Sequence, residues 1–431
     1  MQNGAGAPYL CIAMNNEPVR TSGSAHRFAD AVALLLAFIV LLSGVESCSR
    51  ANAYRADHGV APCEITPAFD SLFSALLTDD APGAIVTVMR GDSVMYNHAF
   101  GLARLDSADR VTDSTIFNIS SASKLITGVA IMKLVEQGLV HLDDSLSKYF
   151  PEFPNRYFDH ITLRHVLTHT SGLPDLRPTN RNEWSEYLDN HVSTFGYDRD
   201  YRLYGTENEH MQSFVELDTI VNAPGAHYDR RDISYILIAP LIERVTGQKF
   251  TKWMKANIFA PIGMNETFYY CAGLRVPRMA HGYRPADPAR AVETYRSDDG
   301  LWDEYDYNEA EYFLTKADRG VFSSARDFRR FRRALAKGEI ISQASIDSLL
   351  TPYIITQQPN VMFGLTTAID LTEGKPRKSY HLNANGGFST ITCWWPDKDV
   401  TYLVFASRND FDQRRVMAQA DSIIAAAGWL D

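Results

Sequence analysis

The sequence predicts an α+β fold, with one mainly antiparallel sheet assembled from the two ends of the chain and a helical lobe between them. Three observations carry this. Residues 84–89 and 93–100 are apolar, β-branched runs around the turn Arg90-Gly91-Asp92, which is a hairpin signal. Residues 388–395 and 401–407 form a second such pair around Pro396-Asp397-Lys398-Asp399. Between the two pairs, roughly residues 139–270 carry helical patterns punctuated by Pro151, Pro154, Pro174, Pro178 and Pro224. Strands at both ends of a chain join into one sheet with helices packed on it, because each apolar face must be covered.

In chain order, residues 1–48 read as a leader. His26-Arg27 precedes the apolar run 31–42, which is followed by Ser43-Gly44-Val45-Glu46-Ser47-Cys48-Ser49. That is a signal-peptide core too short for a comfortable membrane span. It predicts export, to the periplasm or a membrane-anchored place in the cell envelope, with membrane association only through the N-terminal segment. Cys48 stands where a lipoprotein's acylated cysteine would, while Glu46 fits that cleavage pattern poorly, so lipidation stays open. Residues 49–66 read as a linker, and 67–431 as one domain that opens with a helix over 69–77.

The domain's composition is globular: the 431-residue chain is 45% hydrophobic and 22% charged, enough to bury a large core. A formal charge of -10, with one Arg-rich stretch from Arg326 to Arg333 that reads as a solvated helix face, excludes nucleic acid as a partner. Of five cysteines, Cys63, Cys271 and Cys393 lie beyond the leader, too few and too far apart for a disulfide framework or a metal site. His165 and His169 stand four apart on an expected helix. Val166 occupies the place of the glutamate in a zinc-protease pattern, so they read as structural histidines near a helix end.

The chemistry centres on Phe117-Asn118-Ile119-Ser120-Ser121-Ala122-Ser123-Lys124-Leu125. Ser121 and Lys124, three apart, share a helix face. A serine hydroxyl becomes a nucleophile when a base takes its proton, and a lysine is that base when burial or a nearby cation lowers its pKa. Residues 125–135 are apolar on nearly every side, as in a central, buried helix. Residues 177–217 and 288–313 lack periodicity and are rich in aromatic and acidic residues. They read either as rim loops that select the substrate or as plain surface connections.

Phe-x-Ile-x-Ser-x-Ser-Lys, Leu142-Asp143-Asp144-Ser145 and His169-Thr170-Ser171-Gly172-Leu173-Pro174 together resemble the penicillin-recognising serine hydrolases. Within them the chain resembles the branch of class C β-lactamases, D-alanyl-D-alanine carboxypeptidases and related esterases, from about residue 82 to the end. The resemblance implies a β-lactamase/transpeptidase-like sheet flanked by helices beside an all-helical lobe, with the site in the cleft between. It implies an acyl-enzyme on Ser121 with Lys124 as base, acting on an ester or amide in a small molecule or peptide, and needing no cofactor or metal. The backbone N–H of Ser121, with one around Phe388 or Ser389, would hold the oxyanion.

Two family motifs are altered. Tyr-x-Asn falls on Arg230-Arg231-Asp232, anchored by Pro224-Gly225 and by 235–247. Asp232 accepts from Lys124, but a guanidinium stays protonated and Arg230 is no base. His-x-Gly falls on His381-Leu382-Asn383; a rival placement on Asn385-Gly386-Gly387 keeps the glycine and loses the cation. Residues 316–328 resemble the family's Gly-Gly-hydrophobic-x-Ser segment, and 258–264 its Phe-x-Pro-Leu-Gly-Met; both read as scaffold. The altered motifs leave a second reading, a non-catalytic relative that binds peptidoglycan fragments or peptides.

Overall fold

The computed structural model describes residues 60–431 except 153–155, 175–218, 271–275, 287–294, 298–300 and 306–314. The leader, Cys48, Cys271 and the segment 177–217 therefore lie outside the described residues.

Helix α1 (Thr66–Ser74) precedes the hairpin β1 (Ala84–Arg90) and β2 (Ser93–Phe100). Helix α2 (Ala122–Glu136) carries the serine and lysine. Late in the chain come β3 (Ile354–Ile355), β4 (Val361–Phe363), β5 (Ala368–Asp370), β6 (Lys378–Asn385), β7 (Phe388–Trp395) and β8 (Val400–Ala406), then helix α3 (Gln413–Ala426). These eight strands form one sheet in the order β3-β4-β5-β6-β7-β8-β1-β2. Every neighbouring pair is antiparallel. Terminal strands meet where expected: β1 pairs with β8 from Ala84↔Ala406 to Arg90↔Val400. The short strands β3 to β5 extend one edge and were not anticipated; two or three residues are too few to show a period of two.

Alternation along the strands sends side chains to two cores. Ile85, Leu403, Phe405, Phe388 and Trp394 face the core built on α2. Val86, Val88, Ile391, Cys393, Tyr402 and Val404 face the second, which α1 (Phe69, Phe73) and α3 (Val416, Ala420, Ile424) close. Helix α2 is buried on almost all sides because almost no side chain before Lys133 needs water; Leu125, Ile126, Val129, Ile131 and Leu134 are 2% exposed or less. Each such side chain contributes about 1.5–3 kcal/mol when removed from water. Gly138 (φ +68) turns the chain out of the helix. Within α2 the packing is tight at Gly128, where an added Cβ would stand 2.7 Å from both Cγ2 and Oγ1 of Thr366.

The described part of 139–270 is helical in short pieces: Leu146–Tyr149, Leu163–Leu167, the 3-10 turn Asp232–Leu237, Ile238–Thr246 and Phe250–Met254. Three expectations need correction. The helix carrying His165 stops at Leu167, with Thr162 and His165 completing a capping box, so His169 lies past its end at φ +55 and the two rings do not share a helix face. The segment 288–313 is in part ordered strand, since Tyr295–Ser297 and Trp302–Tyr305 pair in a small sheet with Tyr283–Pro285. The Arg-rich stretch is not all solvated: Arg326, Arg329 and Arg330 pair with Glu266, Asp113 and Asp327, and Arg332 is buried with its guanidinium 4.3 Å above the Trp394 ring. Cys63 and Cys393 are free thiols.

Candidate active site

Ser121 stands at the first position before α2, after Ser120, whose φ of +51 makes the sharp entry. Asn118 secures that entry: its Oδ1 accepts from Ser120 N at 2.9 Å, and its Nδ2 donates to the carbonyl of Arg319 at 3.0 Å. One turn on, Lys124 Nζ donates to Ser121 Oγ at 3.0 Å and to the Asp318 carbonyl at 3.2 Å. Lys124 is 2% exposed, Ser121 likewise. Its ammonium lies 2.9 Å from Asp232 Oδ1 and 5.4 Å from the centre of the Tyr235 ring.

Burial is the largest influence on Lys124 and pulls its pKa down to about 8, against the opposing pull of Asp232 and Asp318 and with help from Arg319 and Arg230. Arg230 Nη2 donates to Ser121 Oγ at 3.3 Å and to Asn383 Oδ1 at 3.4 Å. The residue in the tyrosine's place thus touches both the serine and the residue in the glycine's place. Asp232 Oδ2 meets Arg319 Nη2 at 2.6 Å, and Arg319 Nε donates to Asp318 Oδ2 at 2.7 Å.

His381 lies on the face of β6 turned toward α2, is 8% exposed and sits 2.8 Å from the Thr366 carbonyl through Nε2. A carbonyl accepts, so Nε2 carries the hydrogen. Burial holds the ring's pKa at about 3, and it is neutral. The same holds for His169, whose Nδ1 faces the Arg231 carbonyl at 3.2 Å and whose pKa burial also lowers to about 3. Ser121, Lys124, His169, Tyr228, Arg230 and His381 line a narrow cleft of about 70 Å³ whose lining also includes Phe363, Tyr380 and Arg414.

The structure does not bring Phe388 and Ser389 into that cleft. Phe388 is a core residue, edge-on to Phe117 and Phe322. Ser389 is 1% exposed and alternates to the opposite face with Ile391 and Cys393. Strand β7 has neighbours on both sides from Ser389 onward, so the ladders take up its N–H groups. The open edge near the serine belongs to β6, which β5 covers only over Lys378, Ser379 and Tyr380. Gly386 and Gly387, both at positive φ, make the turn between β6 and β7.

Sequence reading missed His169, Tyr228 and Arg319. For Arg319 a signal was present: it stands at the first glycine of the Gly-Gly segment. Among the described residues no group of acidic, histidine or cysteine side chains could hold a metal ion.

A two-sided sheet with a serine–lysine pair at the start of its central helix defines the β-lactamase/transpeptidase-like serine hydrolases of the penicillin-recognising superfamily. Residues 69–426 match the Beta-lactamase family, and the chain belongs to it. Penicillin-binding protein 4* of Bacillus subtilis is 26% identical over 82% of this chain and 75% of its own length. Putative penicillin-binding protein PbpX of the same organism is 27% identical over 62% of this chain and 58% of its own. Among solved structures, D-amino acid amidase from Ochrobactrum anthropi SV3 shares the fold at a TM-score of 0.67 and 20% identity, covering 85% of this chain and 99% of that one. The octameric penicillin-binding protein homologue from Pyrococcus abyssi does so at 0.65 and 22%, covering 84% and 76%.

Proposed function

We propose that this chain is a serine hydrolase of the cell envelope that forms an acyl-enzyme on Ser121 from an ester or amide. The observation that carries the reading is the 3.0 Å contact between Ser121 Oγ and Lys124 Nζ, with the lysine buried and its pKa brought down to about 8. Neutral Lys124 takes the hydroxyl proton, Oγ bonds to the substrate carbonyl carbon, and the proton passes to the leaving alcohol or amine as the carbonyl re-forms; water then releases the acid by the reverse sequence. Arg230, permanently charged, donates to Oγ and favours its alkoxide form. The oxyanion is held by the Ser121 N–H and an N–H from the open edge of β6. His381, neutral and held at Thr366, takes no proton in this scheme.

Support for the hydrolase class comes from the family; the substrate is left as a small molecule or peptide. Export rests on the apolar run 31–42, and N-terminal sequencing of cell-derived protein, expected to start near Cys48, checks it. The second reading, a non-catalytic binder of peptidoglycan fragments or peptides, has one observation in its favour: Arg230 and Asn383 stand where the family has tyrosine and glycine. Mass spectrometry after a fluorophosphonate or penicillin probe separates the two. An adduct on Ser121 is expected; an unlabelled Ser121 with both probes favours the binder.

A further inference from the structure

The family positions altered in this chain touch one another. Asp232, in the asparagine's place, meets Arg319, in a glycine's place, at 2.6 Å. We infer that Arg319 is a positioning residue of this site, forming one unit with Asp232 that holds Lys124 against Ser121 and leaves it able to accept a proton. The inference rests on the serine hydrolase reading and names the group that makes its base work.

The geometry is a chain of four charges beside the serine. Lys124 Nζ stands between Ser121 Oγ at 3.0 Å and Asp232 Oδ1 at 2.9 Å. The other carboxylate oxygen of Asp232 is taken by Arg319 Nη2, and Arg319 Nε by Asp318 Oδ2 at 2.7 Å. Asp318 is 0% exposed and Arg319 8%, so water does little to screen these contacts. An aspartate next to a lysine favours the ammonium, which cannot accept a proton; asparagine would not do this. A guanidinium on the far oxygen draws the carboxylate's charge away from the lysine. With Asp232 and no Arg319, Lys124 would hold its proton to higher pH. With Arg319 and no Asp232, a buried cation would lose the carboxylate that meets its Nη2. Either change needs the other.

The groups facing Lys124 come from every element around it. Asp232 and Tyr235 lie on the 3-10 turn, Arg230 just before it, and Asp318 and Arg319 on the short helix Lys316–Arg319. His169 and His381 complete the shell as neutral rings. At neutral pH the balance is then Lys124, Arg319 and Arg230 against Asp232 and Asp318. Removing Arg319 alone leaves one lysine and Arg230 against two aspartates, and removing Arg319 with Asp232 restores the excess of cations.

The experiment measures fluorophosphonate labelling of Ser121 against pH (phosphonylation of Oγ with loss of fluoride), by intact mass, for the full chain, R319Q, R319K, D232N and D232N/R319Q, with an unfolding temperature for each. In R319Q the rising limb moves up by about one pH unit, a roughly tenfold loss at pH 7, while the high-pH plateau changes little. R319K, which keeps a cation, moves the limb back toward the wild type. The double variant is labelled faster at pH 7 and unfolds at a higher temperature than the two single losses added together predict. A limb that stays put in R319Q, a uniform loss at every pH, or additive losses in the double variant would each overturn the inference. If the wild type takes no adduct, the proposed function fails. The unfolding temperatures then decide this inference alone: coupling of the two positions supports it and additivity overturns it.

Discussion

Raising the pH should switch the site on through Lys124. The lysine must be neutral to take the Ser121 proton, so the rate follows the deprotonated fraction. With its pKa brought down to about 8, roughly one lysine in eleven is neutral at pH 7 and about ten in eleven at pH 9, whereas at the ordinary value of about 10.4 fewer than one in a thousand would be neutral at pH 7. Phosphonylation of Ser121 by a fluorophosphonate should therefore rise roughly tenfold between pH 7 and 9 and then level. Burial supplies this, against the charges of Asp232 and Asp318. The assay is the initial rate of adduct formation between pH 6 and 10, with Lys124→Met as the control that should take no adduct at any pH. A flat profile from pH 7 to 9, a limb that begins only above pH 10, or labelling of the methionine variant would refute the reasoning, since each means that some group other than a buried lysine takes the proton.

Further outcomes are expected. Ser121→Ala should lose all labelling while its unfolding temperature stays within a few degrees, because the hydroxyl makes no helix-cap bond and Lys124 keeps Asp232; full activity in this variant would remove the nucleophile assignment. Arg230→Tyr should keep Ser121 reactive but shift the rising limb to higher pH, since a cation that holds the Lys124 pKa down has gone; an unshifted limb would separate Arg230 from the lysine. Gly128→Ala gains about 1 kcal/mol of helix propensity but forces Cβ to 2.7 Å from Thr366, and overpacking costs about 1–3 kcal/mol. Thr366 is tied to Leu167 and His381 by its backbone and gives way poorly, so a net loss of unfolding temperature is expected; calorimetry showing a gain would mean that Thr366 moves freely.

What the sequence discloses depends on how local its cause is. The cap of α3 is local: Asp412 accepts from the N–H groups of Arg414 and Arg415. The two hairpins were readable from alternation and turn residues, and the serine–lysine pair from a spacing of three. Position in a cleft is a different matter. Ser389 and Phe388 are adjacent in sequence yet point to opposite cores, and only the register of β7 against β6 and β8 decides which face each takes. Arg319 and Asp232 lie 87 residues apart, and no local rule links a residue in a scaffold motif to one in a site motif. His169 escaped as a site residue because its left-handed backbone carries it past the helix on which the spacing had put it.

The partnership of β1 with β8 governs when this protein can fold. Ser407 Oγ donates to the Gly83 carbonyl across 324 residues, and both strands beside that contact lie inside the sheet rather than at its border. A chain still emerging from the ribosome holds β1 with one edge unpaired until nearly its whole length has been made. Pairings so remote in sequence form slowly, and an apolar strand left open meanwhile invites association with other chains. Loss of the last thirty or so residues would therefore remove an interior strand together with α3, leaving the serine–lysine helix made but the sheet split, with β1 and β2 cut off from β3 to β7.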